Sequence, residues 1–347
     1  MESSSSRGTR RGGIAWIDRS RGVAIFMVLF LHAASPLRNA GIEVPAFFTL
    51  VADAVAPFRT PMLMFLAGLF LERALAKGLG RHLDGTIRLL WPYLIWLVLF
   101  CLAVDPQKLA QPITYYGGSA LWFLAFLILI RLVAVATWFA PPLVVALGAY
   151  GAALVWPDIT TLQSKFLLMT SLFFLGACLG SRLTQTTAFL QSPWALALIP
   201  ILLGMGLYSA TVENLKYDAP TFPLAVLGLI ALLAIAERVP DSRLTRIFEH
   251  MGRRTLYYFL VHAPVMLPLQ VLFLEIGLAP GLAVVLSLAA GLTACYGMQR
   301  LVQIYPRADL LFSAPWSSLR PASMPAGWRP SWPGAARAAG RKQEQGP

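Results

Sequence analysis

Charge is scarce in this chain. Asp, Glu, Lys and Arg make up 13% of its 347 residues, about half their share in an average soluble domain, while 57% are hydrophobic. That balance excludes a soluble fold with one buried core. A chain of this length cannot hide so much apolar surface from water, and a bilayer must act as its solvent. Cysteine and histidine are also few. Cys101, Cys178 and Cys295 are the three cysteines. All lie in apolar runs, which argues against a disulfide framework and reads as three inert buried thiols. The sequence holds no Walker A loop, HExxH, CxxC or nucleophile elbow. No cluster of His, Cys and carboxylates points to a metal centre. Period-two alternation, the mark of a membrane β-barrel, is not the pattern.

What is present is a series of apolar runs of about 20 residues, the length that crosses a hydrocarbon core of roughly 30 Å. The expectation is an all-α polytopic bundle of about ten transmembrane helices. They fall near 15–36, 47–71, 87–104, 119–139, 141–156, 162–181, 193–211, 220–236, 255–275 and 279–301. The fifth is the shortest, confined between Pro142 and Pro157. Residues 1–13 read as a basic N-terminal tail, 14–305 as the transmembrane domain and 306–347 as a disordered basic tail rich in Pro, Ala, Gly, Arg and Ser. Arg10, Arg11, Arg19 and Arg21 precede the first apolar run in the manner of a signal peptide. Pro36 follows the small-residue stretch Ala33-Ala34-Ser35 directly, and the run is read as a retained first span.

The net charge of +12 matters less than its placement. With both termini cytoplasmic, 23 of the 28 lysines and arginines fall on the inner side, as the positive-inside rule requires. Arg131 and Arg182 count among them, at inner ends of spans. The exceptions are Arg38, Arg59, Lys108, Lys165 and Lys216. Basic residues gathered at span ends form no continuous soluble face, so no nucleic-acid partner is expected. The expected surroundings are membrane lipid, in the cell (inner or plasma) membrane.

An ionisable group at bilayer depth costs at least a few kcal/mol and is a functional candidate by default. Two of the four histidines, His32 and His262, lie in spans, as do Arg59 and Asp53. At a helical rise of about 1.5 Å per residue, His32 lies roughly 16 Å beyond Arg21, and His262 about 12 Å beyond Arg254. Arg59 lies about 20 Å from the inner end of its span. The eleven-residue step from Arg21 to His32 is close to three turns and puts both on one face. Three polar groups from three spans thus converge on the mid-membrane. Arg59 can alternatively pair with Asp53, six residues before it, where Pro57 and Pro61 break the helix. Asp18, three residues before Arg21, reads as a helix-start or Arg-orienting residue. His82 and His250 read as solvated loop residues. Gly176 and Gly180 form a small-xxx-small pair suited to close helix packing. Trp122 opens the fourth span, in an aromatic belt at the outer interface.

Several of these stretches resemble the membrane-bound acyltransferase type 3 family. Ile17-Asp18-Arg19-Ser20-Arg21-Gly22, followed by ten residues from Arg21 to His32, is similar to the family's opening span. Phe58 to Gly68 resembles its "mPlFFflSG" stretch, Arg88 to Tyr93 its "R-x-x-x-P-Y", Leu121-Trp122-Phe123-Leu124 its "lWFL", and Gly252 with Tyr258 to His262 its "G…iYllH". The matches run in family order from residue 16 to about 264. Two departures stand out. Gly85 occupies the first position of the family's R-x-x-R pair, where Arg81 or His82 is a candidate substitute, and Ala67 replaces the usual Ser.

The resemblance implies an integral-membrane O-acyltransferase. It would move an acyl group, with acetyl expected, from cytoplasmic acyl-CoA (acetyl-CoA) to a hydroxyl of an extracytoplasmic glycan or glycolipid, an O-acetylation that needs no permanently bound cofactor. On this reading Arg21, Arg88 and Asp18 serve the donor, whose phosphates suit guanidinium groups. His32 acts as general base or transient acyl carrier. Arg59 or His262 stabilises the oxyanion, and Trp122 meets the acceptor. The alternative class is a transporter or flippase that transfers no group, since transporters also carry midplane charges and broken helices.

Overall fold

The computed structural model describes residues 9–115, 120–156 and 160–315, and the described residues form helices, 3-10 turns and loops with no strand. Fifteen helices occur among them. The first half comprises α1 (Thr9–Asn39), α2 (Ala46–Ala54), α3 (Arg59–Gly68), α4 (Leu71–Leu75), α5 (Leu79–Val104), α6 (Trp122–Ala136), α7 (Pro142–Val155) and α8 (Thr161–Gly180). The second half comprises α9 (Leu183–Gln191), α10 (Pro193–Leu196), α11 (Ile199–Thr211), α12 (Phe222–Arg238), α13 (Arg243–Arg253), α14 (Thr255–Glu275) and α15 (Pro280–Ile304). Among the described residues, seven stretches are long and apolar enough to cross a bilayer: 15–39, 46–75, 79–104, 161–180, 193–211, 255–275 and 280–304. α6 and α7 are apolar but shorter. The protein is a polytopic helical membrane bundle.

Local chemistry sets the boundaries. Proline opens α7, α10 and α15, where its missing N–H is one the helix leaves unpaired anyway. A capping box opens α8: Thr160 Oγ1 accepts from Gln163 N, and Gln163 Oε1 accepts from Thr160 N. The second span is broken, as Pro57 suggests. A turn at 55–58 separates α2 from α3, and Pro61 is tolerated in the first turn of α3.

α5 begins at Leu79, eight residues before the predicted span start, and takes His82 into a helix. Its exposed Leu83, Ile87, Leu90, Leu94, Val98 and Leu102 recur at intervals of three or four. One face of this helix is therefore apolar and unpartnered, as a lipid-facing stripe must be. The segment 237–254 contains α13, capped by Ser242, whose Oγ accepts from Thr245 N at 3.1 Å.

α1 is the hub, packed against α2, α3, α12, α13, α14 and α15. Glycines permit its closest approach. A Cβ on Gly22 would meet Phe248 O at 1.8 Å, and one on Gly252 would meet Asp18 O at 1.7 Å, so the backbones of α1 and α13 touch. The α3–α8 crossing is built alike. Cβ atoms on Gly176 and Gly180 would stand 2.1 and 2.0 Å from Phe65 O and Leu69 O, which is the close packing the small-xxx-small spacing predicts. Buried Arg19 fixes α13 further, with Asp241 at 3.0 Å, Glu249 at 2.9 Å and the carbonyl of Ala236 at 2.9 Å. After α15, residues 306–311 form a 3-10 turn against α5, where Trp91 and Trp96 donate to the carbonyls of Leu310 and Leu311. The remainder of the expected C-terminal tail, from 316, and residues 1–8 lie outside the described residues.

Candidate active site

His32 lies near the end of α1, half-buried. Pro36 follows four residues later within the same helix. It has no N–H, so the His32 carbonyl lacks its normal helical donor. The side chain of Gln270, from α14, fills this place. Its Nε2 donates to His32 O at 2.7 Å and reaches Ala33 O at 3.3 Å.

His262, on α14, is fully buried. Its Nδ1 is 2.8 Å from the carbonyl of Tyr258. A carbonyl only accepts, so Nδ1 carries the proton, and in the neutral ring Nε2 presents a lone pair. Nε2 has no hydrogen-bond partner among the described residues. The rings of His32 and His262 lie 5.0 Å apart, centre to centre, at 52°. Two histidines separated by 230 positions in the chain thus meet inside the bundle.

Arg59 opens α3 and is 2% exposed. The alternative pairing with Asp53 is not formed. Asp53 binds Arg38 at 2.6 and 3.3 Å and accepts from Asn214 at 2.9 Å. Arg59 Nη1 donates to Ala52 O at 2.8 Å, across the break in the second span. It lies within electrostatic reach of His32.

Three turns below His32, Arg21 donates to Leu66 O at 3.2 Å and lies over the Phe70 ring at 5.0 Å. Asp18 does not start a helix, because α1 already runs from Thr9. It is an Arg-facing residue, 3.8 Å from Arg253 and within electrostatic reach of Arg21. Arg88 pairs with Asp84 at 2.7 Å along α5. No hydrogen bond or ion pair among the described residues joins Arg88 to Arg21 or Asp18. Trp122 opens α6, and its ring supports the ammonium of Lys165 at 3.1 Å and meets Tyr217 at 5.6 Å.

Two histidines differ from expectation. His82 is not solvated: it is 2% exposed, with Nε2 3.3 Å from Arg131 O. His250 is half-buried and bonds Gln299 at 2.9 Å. Both are drawn in because the segments holding them are helices packed on the bundle. Arg131 crosses from α6 to donate to Thr86 Oγ1 at 2.9 Å and to His82 O at 3.3 Å. Its Nη2 lies 3.3 Å from where a Cβ on Gly85 would stand. A guanidinium therefore stands over the glycine that departs from the R-x-x-R pair, supplied by a different helix. Arg81, the other candidate substitute, is exposed.

Gln270 joins this site without any motif to announce it, although a lone Gln in the apolar run 255–275 is a visible signal. The aromatic surroundings of Lys165 come from distant parts of the chain and leave no local trace.

A buried, polar, His-centred site within a helical bundle marks a membrane-embedded enzyme. Residues 14–300 match the family model described as an acyltransferase domain. The chain belongs to the acyltransferase 3 family, and it is a multi-pass membrane acyltransferase that transfers acyl groups other than aminoacyl groups. No curated protein and no solved structure gives a significant match to it.

Proposed function

We propose that the protein is an O-acyltransferase of the cell membrane that moves an acyl group, acetyl in the simplest case, from cytoplasmic acyl-CoA to a hydroxyl of a glycan or glycolipid on the opposite side. The observation that carries this is the contact between His32 and His262 in the bundle interior, with Gln270 fixing the backbone beneath His32. The asymmetry of Lys and Arg supports cytoplasmic termini. With that orientation Arg21 faces the donor and the Arg38 end of α1 faces the acceptor.

His32 takes the acceptor's hydroxyl proton as that oxygen bonds to the thioester carbonyl carbon. The carbonyl electron pair moves onto its oxygen, and the charge of Arg59 stabilises the oxyanion. Collapse re-forms the carbonyl and breaks the C–S bond. The CoA thiolate leaves and takes the proton back from His32. The bare Nε2 of His262 accepts from the second His32 nitrogen while that ring is cationic. Arg21 holds donor phosphate by charge-assisted hydrogen bonding, and Arg88 adds positive charge on the same side.

The test follows labelled acetyl-CoA and a crude glycan extract with purified protein, reading free thiol and label on hydroxyl. His32→Ala should lower transfer by at least about a hundredfold, the usual contribution of a general base, and leave the protein monodisperse. Undiminished transfer in that variant would overturn the mechanism. Label taken up unmodified into vesicles would overturn the transferase reading in favour of transport.

A further inference from the structure

Three basic side chains gather around Tyr217: the Lys165 ammonium lies 4.9 Å from its ring, Lys216 precedes it in the chain, and Arg59 is within its electrostatic reach. Arg59 is buried in α3, Lys165 lies in the second turn of α8, and Lys216 sits in the loop between α11 and α12. The charges of Arg59 and Lys216 both act on Lys165, and that of Arg59 acts on Lys216. None of the three has a carboxylate within ion-pair distance among the described residues. The nearby acids are engaged elsewhere. Asp53 is held by Arg38 and Asn214, and Asp218 accepts from Thr221 N at 3.0 Å and Thr221 Oγ1 at 2.7 Å.

Like charges in a partly buried place repel and lose hydration, and the arrangement costs stability unless an anion joins it. The fold nevertheless holds them there. The Lys165 ammonium is fixed over Trp122 at 3.1 Å and near Tyr217 at 4.9 Å. Tyr217 itself has φ of 61°, a left-handed conformation that a bulky residue adopts only under constraint. Backbone strain is thus retained where the aromatic support for Lys165 is built. Of the three cations, Arg59 is the one within electrostatic reach of His32.

We propose that the hydroxyl-bearing acceptor carries an anionic group, phosphate or carboxylate, that docks between Arg59, Lys165 and Lys216 and so presents the hydroxyl to His32. The proposal rests on the transferase reading above and narrows its acceptor to acidic or phosphate-bearing saccharides. Asp53 lies within electrostatic reach of Arg59 and Lys216 but is shared with Arg38 and Asn214, so a neutral glycan would leave the cluster with a net positive charge.

The experiment measures thermal protection of the purified full chain in zwitterionic nanodiscs by inorganic phosphate, glucose 1-phosphate, glucuronate and glucose, with acetyl-CoA as the donor arm. This binding readout needs no turnover, so failure of the transferase reading appears separately, as absent thiol release. The three anions should protect and glucose should not. In Lys165→Gln/Lys216→Gln, protection by the anions should weaken at least about tenfold, the size expected for lost charge-assisted bonds. Protection by acetyl-CoA should remain, and Lys165→Arg/Lys216→Arg should restore the anion effect. Equal protection by glucose in the unaltered protein overturns the proposal, whatever the variants do. So does loss of acetyl-CoA protection in the Gln variant, which would assign the cluster to donor phosphates. Phosphatidylglycerol in the nanodisc abolishing anion protection without slowing thiol release would assign it to lipid headgroups and overturn the proposal as well.

Discussion

The side-chain amide of Gln270 donates to the main-chain carbonyl of His32 at 2.7 Å, the acceptor that Pro36 leaves without a helical partner. Gln270→Ala should remove that donor and expose the carbonyl to a cost of about 1–3 kcal/mol. Transfer should fall about tenfold, mainly in kcat, because His32 loses the contact that sets its backbone. Pro36→Ala restores an N–H in the right register. The double variant Gln270→Ala/Pro36→Ala should therefore be more stable than Gln270→Ala alone in thermal unfolding. Strict additivity of the two changes would refute the link.

His262 faces His32 with Nε2 bare because Tyr258 takes the proton side of the ring. His262→Ala should lower kcat by about a hundredfold, within the range for groups acting on proton transfer, and leave the donor KM nearly unchanged. A steady-state comparison across acetyl-CoA concentrations separates the two parameters. A change confined to KM would show that His262 binds donor instead.

Arg131 stands over Gly85 and ties α6 to α5 through Thr86 and His82. Arg131→Ala should raise the acetyl-CoA KM roughly tenfold, as expected for loss of one charged hydrogen-bonding group. Lys at this position should recover only part of that, since it lacks the planar fork. The double variant Arg131→Ala/Gly85→Arg should recover more, by supplying the guanidinium from α5. Donor KM values unchanged across the series would remove Arg131 from the donor side.

Gly22→Val and Gly252→Val each push a side chain into a backbone carbonyl less than 2 Å from the ideal Cβ. Overpacking at a crossing this close should cost about 3 kcal/mol or more, so little monodisperse protein should be recovered from membranes. Val at Gly148, which has nothing within 4 Å of its Cβ position, should leave the yield unchanged. Size-exclusion profiles of the three variants provide the comparison.

Much of this site was legible because a membrane makes polarity conspicuous. His32, His262 and Arg59 stand out in apolar runs, and helical rise alone predicts their shared depth. The structure brings the two histidine rings to 5.0 Å. Partners were less legible, since choosing among acceptors and donors depends on packing between distant helices. Asp53 looks like a neighbour of Arg59 along the chain, yet its carboxylate turns to Arg38. The Arg131–Gly85 approach spans two helices and leaves no local trace. α13 was concealed for another reason: hydropathy averages over a basic segment signal a loop, although Ser242 and its capping box were there to mark a helix start.

The bond from Arg59 to Ala52 has a consequence for biogenesis. The guanidinium and its acceptor belong to the same span, seven residues apart, and the turn at 55–58 lets them meet. A newly made span normally faces the insertion machinery with such a charge bare, at a cost of about 2.5–3.5 kcal/mol at mid-depth. Here the chain brings the partner with it. The second span can enter the bilayer with that charge already hydrogen-bonded, before α8 or α12 has been synthesised to surround it.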